Sequence, residues 1–257
     1  MAGNDKSEKL TALRRRLEVL ERDGRAAGAV LPFGVAAIDQ ALPQGGLALG
    51  ALHEFAGIGS DEEDGVVAAA FLAGILARLV PERPVLWCSA SGDLYGPGLA
   101  ACGLMPERLI LARVPGEQAL LWAMEEGLRS AVLAAVVGEV ETLRLAESRR
   151  LQLAAEASGT TAFALRRWRN GDRAARQRGT PNAAVTRWRV KALPAGLDAD
   201  DAPGIGRPRW HLELWRCRGG VPASWMVEGC DATGHVALAA ELGDRPAAPA
   251  VRPAGAG

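Results

Sequence analysis

The sequence predicts an α/β fold: a mostly parallel β-sheet covered by helices on both faces, with antiparallel strands at the C-terminal end. Three observations carry this reading. Continuous apolar runs of strand length, Ala51 to Ala56, Pro84 to Ala90, Arg108 to Val114 and Ala131 to Glu141, alternate with helical stretches, which is the pattern of βαβ units whose strands are buried on both faces. The first run leads through a glycine-bearing turn into an apolar helix, the layout of a phosphate-binding loop. Near the other end, WHLELWRCRGG and PASWMVEG alternate in polarity around Gly219-Gly220, as an antiparallel pair does.

Composition sets the frame for the elements. At 257 residues and 49% hydrophobic content, the chain suits one substantial core with short appendages. These are read as an N-terminal helix and flexible joint (1–28), a core (29–240) and a disordered tail (241–257). Formal net charge is zero, so any basic surface must be local. Cys88, Cys102, Cys217 and Cys230 form no C-x-x-C pair, and His53, His211 and His235 form no spaced cluster with them. That pattern predicts reduced thiols, no metal site and a cytoplasmic location. The apolar run Val66 to Ala77 falls short of the ~20 residues that span a bilayer, and the start of the chain has no signal-peptide pattern.

In chain order, residues 7–23 place Leu10, Leu13, Leu17 and Leu20 on one helical stripe, with Ser7 to cap it and Gly24 to stop it. Two heptads are too few for a coiled coil, which needs roughly three or more. The glycine-bearing joint from Gly24 to Gly28 favours docking of the stripe on a partner over its own core. A short helix around Val35 to Leu42 and the Gln44-Gly45-Gly46 turn lead to the first sheet strand and the buried helix, which Pro81 ends. After the second strand come the loop SGDLYGPG, a short helix from Gly98 to Gly103 and the third strand. An amphipathic helix from Gly116 to Ser130 precedes the fourth strand. A polar helix (143–157) and the strand Thr160 to Trp168 follow.

The loop's chemistry is inverted. A working loop reads G-x-x-x-x-G-K-[ST], where glycines let backbone N–H groups reach the phosphates and lysine neutralises them. Counting from Gly57, the second glycine falls on Glu62, the lysine on Glu63 and the hydroxyl on Asp64. At ~4 Å and an effective dielectric of ~20 a unit charge pair is worth about 4 kcal/mol, so lysine to glutamate is a swing of up to ~8 kcal/mol. A quarter of that weakens affinity more than tenfold. Ser60 and Glu63 read instead as a capping box, with Asp61 and Glu62 at the positive end of the helix. The protein's own carboxylates then stand where a phosphate would, and neither a catalytic residue nor a cofactor is expected.

Between Arg166 and Lys191 the only acid is Asp172, against a run of arginines. Arg166, Arg167, Arg169, Arg173, Arg176 and Arg178 are candidate phosphate contacts, with Trp168 or Trp188 available for base stacking. The competing reading is a solvated charged loop whose tryptophans pack in the core.

The segment LPFGVAAIDQALPQGGLALGALHEFAG, the GEQAL at Gly116 to Leu120 and the strand pattern to about Val227 resemble the core of the RecA recombinases. The likeness covers roughly residues 7–230. Within that superfamily, the degenerate loop, the short length and the Arg/Trp-rich second half are most similar to the ImuA branch. These are the RecA-like accessory proteins of the bacterial damage-inducible mutagenesis cassette. The resemblance implies a non-catalytic scaffold acting in the SOS response and translesion synthesis. Its implied partners are ImuB and an error-prone DNA polymerase alpha subunit, with RecA and DNA as further candidates and no membrane. It also matches Ala90 to the residue that activates water and Gly138-Glu139 to the magnesium aspartate. The γ-phosphate-sensing glutamine falls at or near Arg166. Glu139 itself is expected to be a solvated strand-end carboxylate. A SulA-type cell-division inhibitor and a DNA-dependent ATPase or recombinase are the alternatives.

Overall fold

Residues 29–59, 61–80, 82–130, 132–168, 179–195 and 206–239 are described by the computed structural model, apart from the side chain of Glu63. Outside them lie the leucine stripe, Ser60 with its capping box, Arg169, Arg173, Arg176, Arg178, most of the acidic, Gly/Pro-rich stretch from Leu197 to Pro208, which the sequence reads as a loop, and the tail.

Strands β1 (Val30–Leu31) and β2 (Leu47–Ala48) form a small antiparallel ribbon around helix α1 (Ala36–Asp39). Then follow β3 (Leu52–Gly57), α2 (Val66–Ala77), β4 (Val85–Ser89), α3 (Gly96–Ala101) and β5 (Leu109–Arg113). The chain continues with α4 (Glu117–Leu128), β6 (Ala135–Val140), α5 (Leu145–Ser158) and β7 (Thr161–Arg166). It closes with β8 (Thr186–Leu193), β9 (Arg209–Cys217), β10 (Ala223–Glu228) and β11 (Ala237–Leu238). Among the described residues the main sheet has nine strands in the order β11-β10-β9-β8-β3-β7-β6-β4-β5. From β8 to β5 the neighbours are parallel, and β9, β10 and β11 join antiparallel.

Burial explains the apolar runs. Every residue of β3, β6 and β7 is buried, because helices cover both faces and alternate side chains enter two separate cores. Phe55, Trp87, Val137, Phe163 and Trp188 join α2 residues Phe71, Leu72 and Ile75 on one face. Leu52, Val136, Ala162 and Ala164 join Leu120, Met124 and Leu128 of α4 and Leu151 of α5 on the other. Gly138 sits under α4, where a Cβ would fall 2.1 Å from Met124 Sδ.

Three elements depart from the sequence reading. The helix expected at Val35–Leu42 is a single turn at Ala36–Asp39, held by the Asp39 carboxylate accepting the Phe33 and Gly34 N–H groups. The fourth strand begins at Ala135, since Leu133 N–H turns back on the Ser130 carbonyl. The basic stretch runs into a strand, β8, that continues past Lys191 to Leu193: Trp188 and Val190 enter the first core while Arg187 and Arg189 alternate with them. Charged residues at every second position had the look of a loop.

Candidate functional site: a carboxylate cluster after the parallel strands

Ligands on open α/β sheets bind at the carboxyl ends of the parallel strands, where the chain switches direction along the sheet. Here β3 lies between β7 and β8, and its crossover leaves for β4, beyond β6 and β7. The turn after β3 opens α2 through a single π-turn, Asp61–Gly65. Asp64 in that turn is 4% exposed. It lies flat on Gly57, where an added Cβ would come within 2.7 Å of Asp64 Cβ. Its Oδ2 accepts the Gly59 N–H at 2.6 Å and its Oδ1 the Ala192 N–H at 2.9 Å. A backbone donor of the turn is thus taken by the chain's own carboxylate, which also ties the turn to β8.

Arg167, immediately after β7, gathers the other acids. Its Nε bridges both Asp61 oxygens at 2.7 and 2.8 Å. Its Nη1 lies 3.2 Å from Glu139 Oε2, and its Nη2 donates to Asp93 at 2.9 Å. Burial pulls this guanidinium's pKa down, but the Asp61 hydrogen bonds and the Glu139, Asp61 and Asp93 charges outweigh it and hold the group above its ordinary value. Asp93 is held below the ordinary carboxylate range, first by the Ser91 hydroxyl and also by Arg167. Glu139 departs from its expected role: it is buried, not solvated. Trp87 Nε1–H donates to it at 2.8 Å and Ser89 Oγ–H at 2.7 Å, while the Ser91 hydroxyl, 3.2 Å from Oε2, gives its proton to Asp93. A strand-end acid sinks here because indole, hydroxyl and guanidinium donors saturate it. Ala90 is exposed beside this cluster and presents no acid.

Of the six candidate DNA-contacting arginines, the two that are described are turned inward. Arg166 is 2% exposed. Its Nη2 donates to the Glu141 carbonyl at 2.7 Å, and its Nη1 lies 3.8 Å from Glu54 Oε2. Burial lowers its pKa, Glu54 opposes that and Arg187 adds to it. Arg167 is occupied by the three acids above. Strand alternation at β7 sends Arg166 into the interior. Trp168 and Trp188 are buried too, their indoles bonded to the Glu141 carbonyl and to Thr186, so base stacking is not open to them.

The sequence reading missed the acid beneath this layer. Glu54, mid-strand in β3, is opposite Arg187 of β8 and Ala164 of β7, and Arg166 is two residues further along β7. Arg187 bonds Glu54 Oε1 through Nε and Nη2 at 2.9 and 2.7 Å, and Asn182 Nδ2 donates to Oε2. The signal was present as a lone charge inside LHEFAG, a run that otherwise reads as core. Among the described residues no cluster of three or more His, Cys, Asp or Glu side chains is arranged to hold a metal ion. None of their helices is long and apolar enough to cross a membrane.

Fold and site together define a class: an α/β protein with a mostly parallel sheet, whose turn after β3 is held by the chain's own carboxylates. No protein-family model matches the chain. Two curated proteins from Caulobacter vibrioides, each called Protein ImuA, from strains NA1000 / CB15N and ATCC 19089 / CIP 103742 / CB 15, are similar to it. Each is 39% identical over 223 residues, spanning 84% of this chain and 89% of the relative. The chain belongs to the ImuA family.

Proposed function

We propose that this chain is a non-catalytic accessory protein of damage-induced mutagenesis, acting beside ImuB and an error-prone DNA polymerase in the SOS response to support translesion synthesis. The observation that carries the non-catalytic part is Asp64, whose two oxygens hold Gly59 and Ala192 where a nucleotide phosphate would compete for the same donors. Family membership supports the pathway, and the partners are those that the resemblance implies. A working site would also have to break the Arg167 clamp on Asp61, Glu139 and Asp93 before an anion or metal could enter. The protein then works through its surfaces, as a platform.

Two measurements test this. Titration with a fluorescent ATP analogue gives no saturable binding at micromolar concentration; saturable binding that a change at Gly57 removes would refute the non-catalytic reading. Capture of the full chain from DNA-damaged cells, with mass spectrometry, recovers ImuB and the polymerase. Recovery of a cell-division protein in their place would refute the pathway.

A further inference from the structure

The edge strand β5 has no part in the site above. Among the described residues it pairs with β4 alone, and it ends the sheet. Ile110 and Leu111 are 48% and 62% exposed, and they point to opposite faces, since Ile110 is in register with Leu86 and Leu111 with Trp87. Met105 and Val80, 49% and 44% exposed, extend this apolar strip. Both flank Arg108, whose N–H bonds the Met105 carbonyl and whose guanidinium bonds the Val80 carbonyl. Proteins normally blunt an edge with proline, an inward charge or a bulge. The strand LILAR has no proline, its register with β4 is unbroken, and its single charge, Arg113, is at the end.

We propose that β5 is a self-association surface, on which a second copy of this chain pairs antiparallel about a two-fold axis at Leu111. Ladder geometry selects that register. Val114 N–H bonds the Ser89 carbonyl on β4, so by the two-residue alternation of a strand the outward N–H and C=O groups belong to Leu109, Leu111 and Arg113. A two-fold at Leu111 pairs Leu111 with itself and Leu109 with Arg113, satisfying all of these groups and placing no like charges opposite each other. Moving the axis one residue towards the C-terminus sets Leu109 against Pro115, which has no N–H to give. Moving it one residue the other way sets Arg113 against Glu107, which is in the 3-10 turn Pro106–Arg108 and is not extended.

A second copy suits this edge better than the chain's own ends. Ala239 N–H bonds the Met226 carbonyl on β10, at the far end of the sheet from β5. The sequence beyond it carries Pro246, Pro249 and Pro253, which cannot donate to a ladder. The N-terminal stretch is patterned for a helix. Zero net charge leaves no long-range repulsion between copies. The pairing joins the two main sheets into one.

Sedimentation equilibrium of the full chain over roughly 1 to 100 µM is expected to show a reversible monomer–dimer equilibrium. Leu111→Lys sets two ammonium groups against each other and raises the dissociation constant by about tenfold or more, with circular dichroism unchanged. Leu111→Cys is cross-linked into a dimer by a short bis-maleimide above the background of the unsubstituted protein. Leu153→Cys, on α5 and 64% exposed before substitution, is not. The proposal is overturned if the protein is monomeric throughout this range, if Leu111→Lys dimerises as well as the parent, or if Leu153→Cys cross-links equally.

Discussion

Replacing Arg167 with methionine tests whether the clamp is a structural substitute for a ligand. The substitution keeps most of the side chain's volume and removes the charge. Glu139 and Asp61 have side chains 3% and 16% exposed, so each is left as an uncompensated carboxylate in a largely dry setting. Breaking a buried pair by removing one partner costs ~3–5 kcal/mol. Arg167 is itself 23% exposed, and water reaching the vacated space moves the expectation to the lower end, about 3 kcal/mol. Asp93, 57% exposed, adds at most ~1 kcal/mol. Glu139→Gln keeps an acceptor for Trp87 and is expected to cost ~1–2 kcal/mol. The double variant should cost less than the sum, with a coupling of ~1–3 kcal/mol. Urea unfolding followed by circular dichroism at neutral pH measures all four corners of the cycle. For a chain of this size, the Arg167 variant should also melt ~6–12 °C lower. The reasoning is refuted if Arg167→Met lies within ~0.5 kcal/mol of the parent, or if the two substitutions add.

Other perturbations probe separate parts of the argument. His53 is buried as a neutral ring between the Thr186 hydroxyl and the Ala48 carbonyl, and burial lowers its pKa from 6.5 to about 4. The unfolded chain therefore takes up the proton first: His53 contributes its full stability above pH 6.5 and loses it as pH falls towards 4, by ~3 kcal/mol in all. His53→Gln should flatten that part of the urea midpoint's pH profile, and an unchanged profile would exclude the assignment. Asp64→Asn turns an amide donor towards either Gly59 N–H or Ala192 N–H and should cost ~2 kcal/mol in urea unfolding without creating nucleotide binding; a neutral outcome would mean that the carboxylate does not tie the loop. For the basic stretch, neutralising Arg169, Arg173 and Arg178 should lower any nucleic-acid affinity and flatten its salt dependence by roughly 0.7–0.9 per lost phosphate contact. Arg166→Met should lower stability and leave that slope alone, as fluorescence anisotropy across a salt series will show.

The sequence by itself determined whatever depends on near neighbours. Continuous apolar runs at strand length placed β3, β4, β5, β6 and β7, because a strand buried on both faces needs apolar residues at every position. Polarity alternating about Gly219-Gly220 placed β9 and β10. The acid-rich turn after β3 was legible because it is one contiguous segment, Asp61 to Asp64. What only the tertiary structure decided is where charges go. Arg167 meets Asp61 across 106 residues and Asp93 across 74, and Glu54 meets Arg187 across 133. No local pattern encodes such partners, since they follow from which strands pair and in what register. The same dependence turned Arg166 from a surface candidate into an interior one and hid β8 inside an apparent loop. An arginine's preference for water is overridden once strand alternation delivers it to a buried carboxylate, and the two residues carry that outcome only together.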